Sequence, residues 1–151
     1  MREKMNFKLT VKGLLCFIFL SFICFYVTCA YADVVIIANK SVKEDRKSKD
    51  DIKNIFLGKI VKWEDGTKIN IAVLKKENEL HKTFAKDYTQ KTTSQFEKWW
   101  RQMVFTGKGT LPKTFESQET LVEYVKENGG AIGYVDNADI TGEIKIIAVD
   151  Q

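Results

Sequence analysis

The segment Ile52-Lys53-Asn54-Ile55-Phe56-Leu57-Gly58-Lys59-Ile60-Val61-Lys62-Trp63-Glu64-Asp65-Gly66 reads as a short amphipathic helix, an abrupt stop and a turn. Ile52, Ile55 and Phe56 stand three and four apart, which places them on one helical face. Gly58 supplies a C-terminal stop, and Asp65-Gly66 marks the turn. Upstream, Ser48 can cap the helix, and Asp50 and Asp51 put negative charge in its first turn, where the helix dipole favours it. Downstream, Ile69, Ile71 and Val73 alternate up to Leu74, the pattern of a strand. Before the helix, Val34-Val35-Ile36-Ile37-Ala38 is a short β-branched run closed by Asn39-Lys40-Ser41, which predicts a buried strand. The stretch from Lys43 to Lys49 reads as a charged loop.

Lys75-Lys76-Glu77-Asn78 leaves the second strand, and from Glu79 the residues Leu80, Phe84, Ala85 and Tyr88 fall on one helical stripe. Ser94 with Glu97 matches a capping box for a further helix presenting Phe96, Trp99, Trp100 and Met103. Adjacent residues on a helix point about 100° apart, which assigns one tryptophan to the core and the other to a groove or interface. Gly107 to Pro112 is a loop by composition. Ser117 can cap a helix carrying Leu121, Val122 and Val125, with Asn128-Gly129-Gly130 as its exit. Ala131 to Val135 and Glu143 to Val149 read as two strands. The order β-α-β-α-α-α-β-β predicts an α/β domain with helices around a mostly buried mixed sheet.

The N-terminus is organised differently. Arg2, Lys4, Lys8 and Lys12 precede an apolar run from Gly13 to Val27, which closes on Ala30-Tyr31-Ala32. Basic, apolar and small-residue regions in that order predict a signal peptide over residues 1–32, cut after Ala32. The apolar run is shorter than the roughly 18–20 residues a spanning helix needs. Thr28 before Cys29 disfavours lipidation. The expected mature domain is residues 33–151, periplasmic or secreted, with no membrane span. The leader takes four of the 24 basic residues and one of the 20 acidic ones, leaving 20 and 19 and a net charge near +1. The apparent basicity therefore gives no argument for nucleic-acid binding. Cys16, Cys24 and Cys29 also leave with the leader, so the mature domain has no disulfide, thiol nucleophile or thiolate metal site.

Several chemistries lack material. His81 is the only histidine, no G-x-S-x-G elbow accompanies it, and no pair of carboxylates is singled out. Gly107-Lys108-Gly109-Thr110 lacks the upstream glycine and the strand-to-helix setting of a phosphate loop. A hydrolase would need His81 or paired carboxylates in a closed pocket. The expectation is a non-enzyme without metal or cofactor.

Three segments carry a resemblance as a set: Ile52 to Gly66 as quoted, Trp99-Trp100 followed by Phe105-Thr106-Gly107, and Gly129-Gly130-Ala131-Ile132-Gly133-Tyr134-Val135. In this order and spacing the chain resembles the phosphate-type solute-binding proteins of ABC transporters, from about Val34 to Val135. The resemblance implies a single lobe of a type 2 periplasmic-binding-protein fold. It implies a small phosphate-like oxyanion as ligand and an ABC permease or another envelope protein as partner. In that family the turn after the strand matching Ile69–Leu74 carries an Arg-Ser-Asp-Gly-Ser-Gly-Thr type sequence around the anion. Here that stretch is Lys76-Glu77-Asn78-Glu79-Leu80-His81-Lys82, rejoining the pattern at Thr83 and Phe84. Lysine for arginine removes bidentate pairing, and Glu77 and Glu79 add like charge.

The expected anion site comprises Lys75, Lys76, Asn78, His81, Lys82 and Thr83, with Ser41 as a further donor after the first strand. One lobe offers half a cleft, so tight capture calls for a homodimer, a partner protein or a more exposed ligand. The competing reading is a cell-envelope interaction or sensory module that keeps the fold without solute binding.

Overall fold

The computed structural model describes residues 33–136 and 144–150. The leader expected over residues 1–32 lies outside the described residues. Contacts group Ala32–Gln151 into one compact unit.

Its elements are β1 (Val34–Ala38), β2 (Arg46–Ser48), α1 (Lys49–Phe56), β3 (Asn70–Leu74), α2 (Glu79–Phe84) and α3 (Thr93–Phe105). They continue with β4 (Lys113–Phe115), α4 (Gln118–Glu127), β5 (Ala131–Asp136), β6 (Lys145–Ile146) and β7 (Ala148–Asp150). The main sheet runs β4-β3-β5-β1-β6, and β2 pairs with β7 in a separate parallel ribbon. β5 is parallel to β3 and antiparallel to β1, and β4 is parallel to β3. The sheet is mixed, as expected.

β5 shows why both faces carry helices. Its first five residues are all buried, and successive side chains point to opposite sides. Tyr134 stacks on Phe84 with ring centroids 3.9 Å apart, and Phe84 meets Phe56 edge-on at 4.6 Å. Gly133 faces the other way, where an added Cβ would lie 2.7 Å from Leu121 of α4.

The capping of α1 agrees with its sequence. Ser48 accepts from the Asp51 N–H, Asp50 and Asp51 occupy the first turn, and Gly58 follows the C-cap with φ +68°. Asn39 ties the end of β1 to α4. Its Nδ2 donates to the carbonyls of Val125 and Lys126 at 2.8 and 2.7 Å, and its Oδ1 accepts from the Ser41 N–H. Those two carbonyls belong to the last turn of α4, which lacks intrahelical donors. Asn39→Ala should therefore cost about 2 kcal/mol, read as a lowered urea midpoint with an unchanged slope. An unchanged midpoint would show that water replaces the amide without loss.

Four expectations are corrected. The stretch from Lys43 to Lys49 contains β2, whose Arg-Lys-Ser sequence has no apolar alternation because its backbone pairs with β7 while its side chains make polar contacts at the surface. β4 went unread for the same reason, since three residues are too few to show a period. The strand expected from Glu143 to Val149 is two, β6 on the main sheet and β7 on the ribbon, with buried Ile147 between them. The capping box of α3 is Thr92 with Gln95, not Ser94 with Glu97. Thr92 Oγ1 accepts from the Gln95 N–H, and Gln95 Oε1 accepts from the Thr92 N–H.

Candidate functional site

A cleft of about 400 Å³ opens beside the C-terminal end of β3. Val73 and Leu74 form its floor, and Lys76 and His81 come from the turn and helix that follow the strand. One turn of α3 supplies Phe96, Glu97, Trp100 and Arg101, which are spaced so that they share a face. Leu111, Pro112 and Thr114 close the remaining side from the loop entering β4.

α3 is held in place by its tryptophans. Trp99 Nε1 donates to the Leu57 carbonyl at 3.0 Å, and Trp100 Nε1 donates to the Phe56 carbonyl at 3.1 Å. Both acceptors sit at the C-terminus of α1, where backbone carbonyls have no intrahelical partner. One of the pair is in the core, as expected, and both share the task of holding α3 to α1. Trp100 is buried and also lines the cleft, while Trp99 is half-buried.

His81 is 2 % exposed. Its Nδ1 lies 2.5 Å from the Tyr134 hydroxyl, which also accepts from the Leu74 N–H at 3.0 Å. The assignment that pairs every buried hydrogen has Tyr134 donating to an unprotonated Nδ1. The neutral ring then carries its hydrogen on Nε2. Among the described residues the only sealed side-chain polar atom without a partner is Glu44 Oε2. His81 lines the cleft, and among the described residues its Nε2 has no hydrogen-bond partner. Burial pushes the His81 pKa down to about 4, which keeps the ring a neutral donor near pH 7. Burial also raises the Tyr134 hydroxyl well above its ordinary range, so it stays protonated.

Two cations face this donor. Lys76 lies 3.9 Å from both Glu77 and Glu97, loose pairs on half-exposed side chains. Arg101 is exposed and has no ion pair among the described residues. With Thr114 and Glu97 they give the cleft two cations, one neutral N–H, one hydroxyl and one carboxylate, the last beside Lys76.

The structure separates the residues expected at the site. Lys76 and His81 line the cleft. Lys75 pairs with Glu116, and Lys82 pairs with Glu79 at 2.6 Å. Asn78 caps α2 through the Leu80 N–H, and Thr83 donates to the Glu79 carbonyl. Ser41 accepts from the Gly130 N–H at the start of β5. Because β1 is antiparallel to β5, Ser41 sits at the opposite end of the sheet from Lys76. Arg101 and Thr114 were missed. Arg101 follows Trp100 directly, and α3 spacing from Glu97 was the signal that could have found it. Among the described residues no group of three or more His, Cys, Asp or Glu side chains could hold a metal, and no helix is long and apolar enough to cross a membrane.

A mixed sheet between helices, with a cleft beyond a strand's C-terminal end, is the arrangement in which open α/β folds place their ligand crevices. A family model described as a PBP superfamily domain matches residues 23–145, and the chain belongs to that family. Among solved structures it is similar to a candidate phosphate ABC transporter substrate-binding protein of Clostridium perfringens with phosphate bound (TM-score 0.63, 17% identity, 78% of this chain and 44% of that one). It is also similar to an ABC-type phosphate transport receptor from Vibrio cholerae (TM-score 0.57, 13% identity, 77% and 45%). A third is PstS from Borrelia burgdorferi (TM-score 0.56, 12% identity, 78% and 47%). At these identities the likeness establishes the fold, and the chain spans less than half the length of each. No curated protein matches the chain.

Proposed function

We propose that this protein is an exported, non-catalytic solute-binding module that holds a small phosphate-like oxyanion in the cleft beyond β3. The observation that carries the reading is the convergence of Lys76, Arg101 and the His81 Nε2–H on one concave surface. Two cations attract an anion, and a neutral N–H adds direction without a further charge to desolvate. The phosphate-binding titles of the similar structures support the same ligand chemistry. Of the residues named from sequence, Lys76 and His81 stay in the proposed site. Lys75, Asn78, Lys82, Thr83 and Ser41 serve its surroundings and the scaffold. The leader over residues 1–32 supports export to the periplasm or beyond. A second wall, from a partner such as a permease, another envelope protein or a second copy, would complete the enclosure that one lobe leaves open.

Isothermal titration of the purified protein with phosphate, sulfate and small carboxylates is the test. At least one anion should bind at millimolar concentration or below, and Arg101→Gln should weaken it about tenfold or more. Absence of both heat and a melting shift with every anion removes solute capture from the account.

A further inference from the structure

The cleft is larger and more apolar than an inorganic oxyanion requires. A space of roughly 300–1,000 Å³ is what holds a small organic molecule, and this one measures about 400 Å³. Its charged groups, Lys76, Glu97 and Arg101, come with His81 from the turn after β3 and from α2 and α3. Leu111 and Pro112, beside Thr114, come from the loop entering β4, with the buried Phe96 and Trp100 behind. Leu111 is 57 % exposed at the lip, an apolar side chain with no core to enter.

We infer that the ligand is an organic anion, with a phosphoryl or carboxylate head held by Arg101, Lys76 and His81 and an apolar body lying against Phe96, Leu111 and Pro112. The inference rests on the oxyanion reading above and adds the chemistry of the rest of the ligand. A bare tetrahedral anion leaves the apolar wall wet and gains nothing from it. A body of even two or three carbon atoms' width dries Leu111 and the half-exposed Pro112 ring, which is worth about tenfold or more in affinity. The two clusters also divide the work of recognition, because the charged side fixes the head while the apolar side selects for shape.

The test compares three probes by calorimetry on the purified protein: inorganic phosphate, phenyl phosphate and benzyl alcohol. Phenyl phosphate should bind at least about tenfold more tightly than phosphate. Leu111→Ser, at an exposed position whose change leaves the core intact, should remove most of that advantage. Arg101→Gln should weaken phenyl phosphate. Equal or tighter binding of inorganic phosphate overturns the organic-anion inference and leaves the oxyanion reading standing. Benzyl alcohol binding as well as phenyl phosphate overturns the inference from the other side, since the head would then go unread. Failure of every anion, with the protein folded, overturns both readings.

Discussion

Lowering the pH from about 6.5 to about 4 is expected to cost the folded protein about 3 kcal/mol through His81 alone. The folded ring holds its proton only below about 4, whereas in the unfolded chain it takes one up near 6.5. The unfolded state therefore binds more protons throughout that window, and stability falls as the pH drops through it. Above about 6.5 both states are neutral and the effect vanishes. Most neighbours argue for the neutral form. Tyr134 needs Nδ1 as an acceptor, Phe84 and Phe96 surround the ring, and of the three charges that share its cleft Lys76 and Arg101 oppose protonation while the Glu97 carboxylate, beside Lys76, favours it. Protonation would turn Nδ1 into a donor against the Tyr134 hydroxyl. That hydroxyl could keep the Leu74 N–H but would have no acceptor for its own hydrogen. Carboxylates elsewhere also titrate toward pH 4, so the informative quantity is a difference. Urea midpoints, followed by tryptophan fluorescence from pH 7.5 to 4, should fall more steeply in the native protein than in His81→Gln, which keeps an acceptor and does not titrate. Parallel curves would remove His81 from the account.

The same residue shows where sequence reasoning was strong and where it stopped. The three family segments were legible because they are scaffold, and the structure explains why they travel together. Trp99 and Trp100 of the second segment bond to the Phe56 and Leu57 carbonyls of the first. Trp63 of the first bonds to the Gly130 carbonyl of the third. Each motif supplies a partner that another motif requires, so the set specifies one fold even though each piece is weak alone. The caps Ser48 and Ser117 were readable for a similar reason, since each acts on a residue three positions away, whereas Asn78, expected at the anion site, caps α2 instead. The exception was α3, where Thr92 with Gln95 and Ser94 with Glu97 both satisfy the pattern and only the start of the helix decides between them.

The site was less legible because it depends on long-range packing. Lys75 and Lys76 are adjacent in a charged turn, yet the pleat sends one toward Glu116 and the other into the cleft. Nothing local marks His81 as buried, since the hydroxyl that satisfies it comes from Tyr134, 53 positions away. Ser41 looked like a donor after a strand, the usual place for one in a parallel sheet. It is excluded by the antiparallel sense of β1, which no residue in Val34–Ala38 announces. Nothing local marks Arg101 as lining the cleft, because its placement follows from which face of α3 is turned by the two tryptophans.

Gly130→Ala is expected to destabilise the fold by about 3–4 kcal/mol, against about 1 kcal/mol for Gly66→Ala. Both glycines have positive φ, +71° and +86°, so both substitutions meet the same backbone penalty. They differ in space. A Cβ at Gly66 meets nothing within 4 Å, but at Gly130 it would lie 2.4 Å from the Lys68 carbonyl oxygen and 3.0 Å from Thr67 Cγ2. Something must move, and every atom at Gly130 is held. Its N–H donates to Ser41 Oγ, and its carbonyl accepts from both Trp63 Nε1 and the Asn70 N–H. Shifting the residue breaks the start of the β3–β5 pairing, while shifting Lys68 disturbs the link that delivers the chain into β3. Both stand at the far end of the sheet from the cleft, so Gly130→Ala should lower the urea midpoint while the folded fraction keeps its ligand affinity. Equal midpoints for the two alanine variants would mean that the segment from Thr67 to Asn70 yields freely. The Trp63–Gly130 contact could not then be the clasp between the first and third segments.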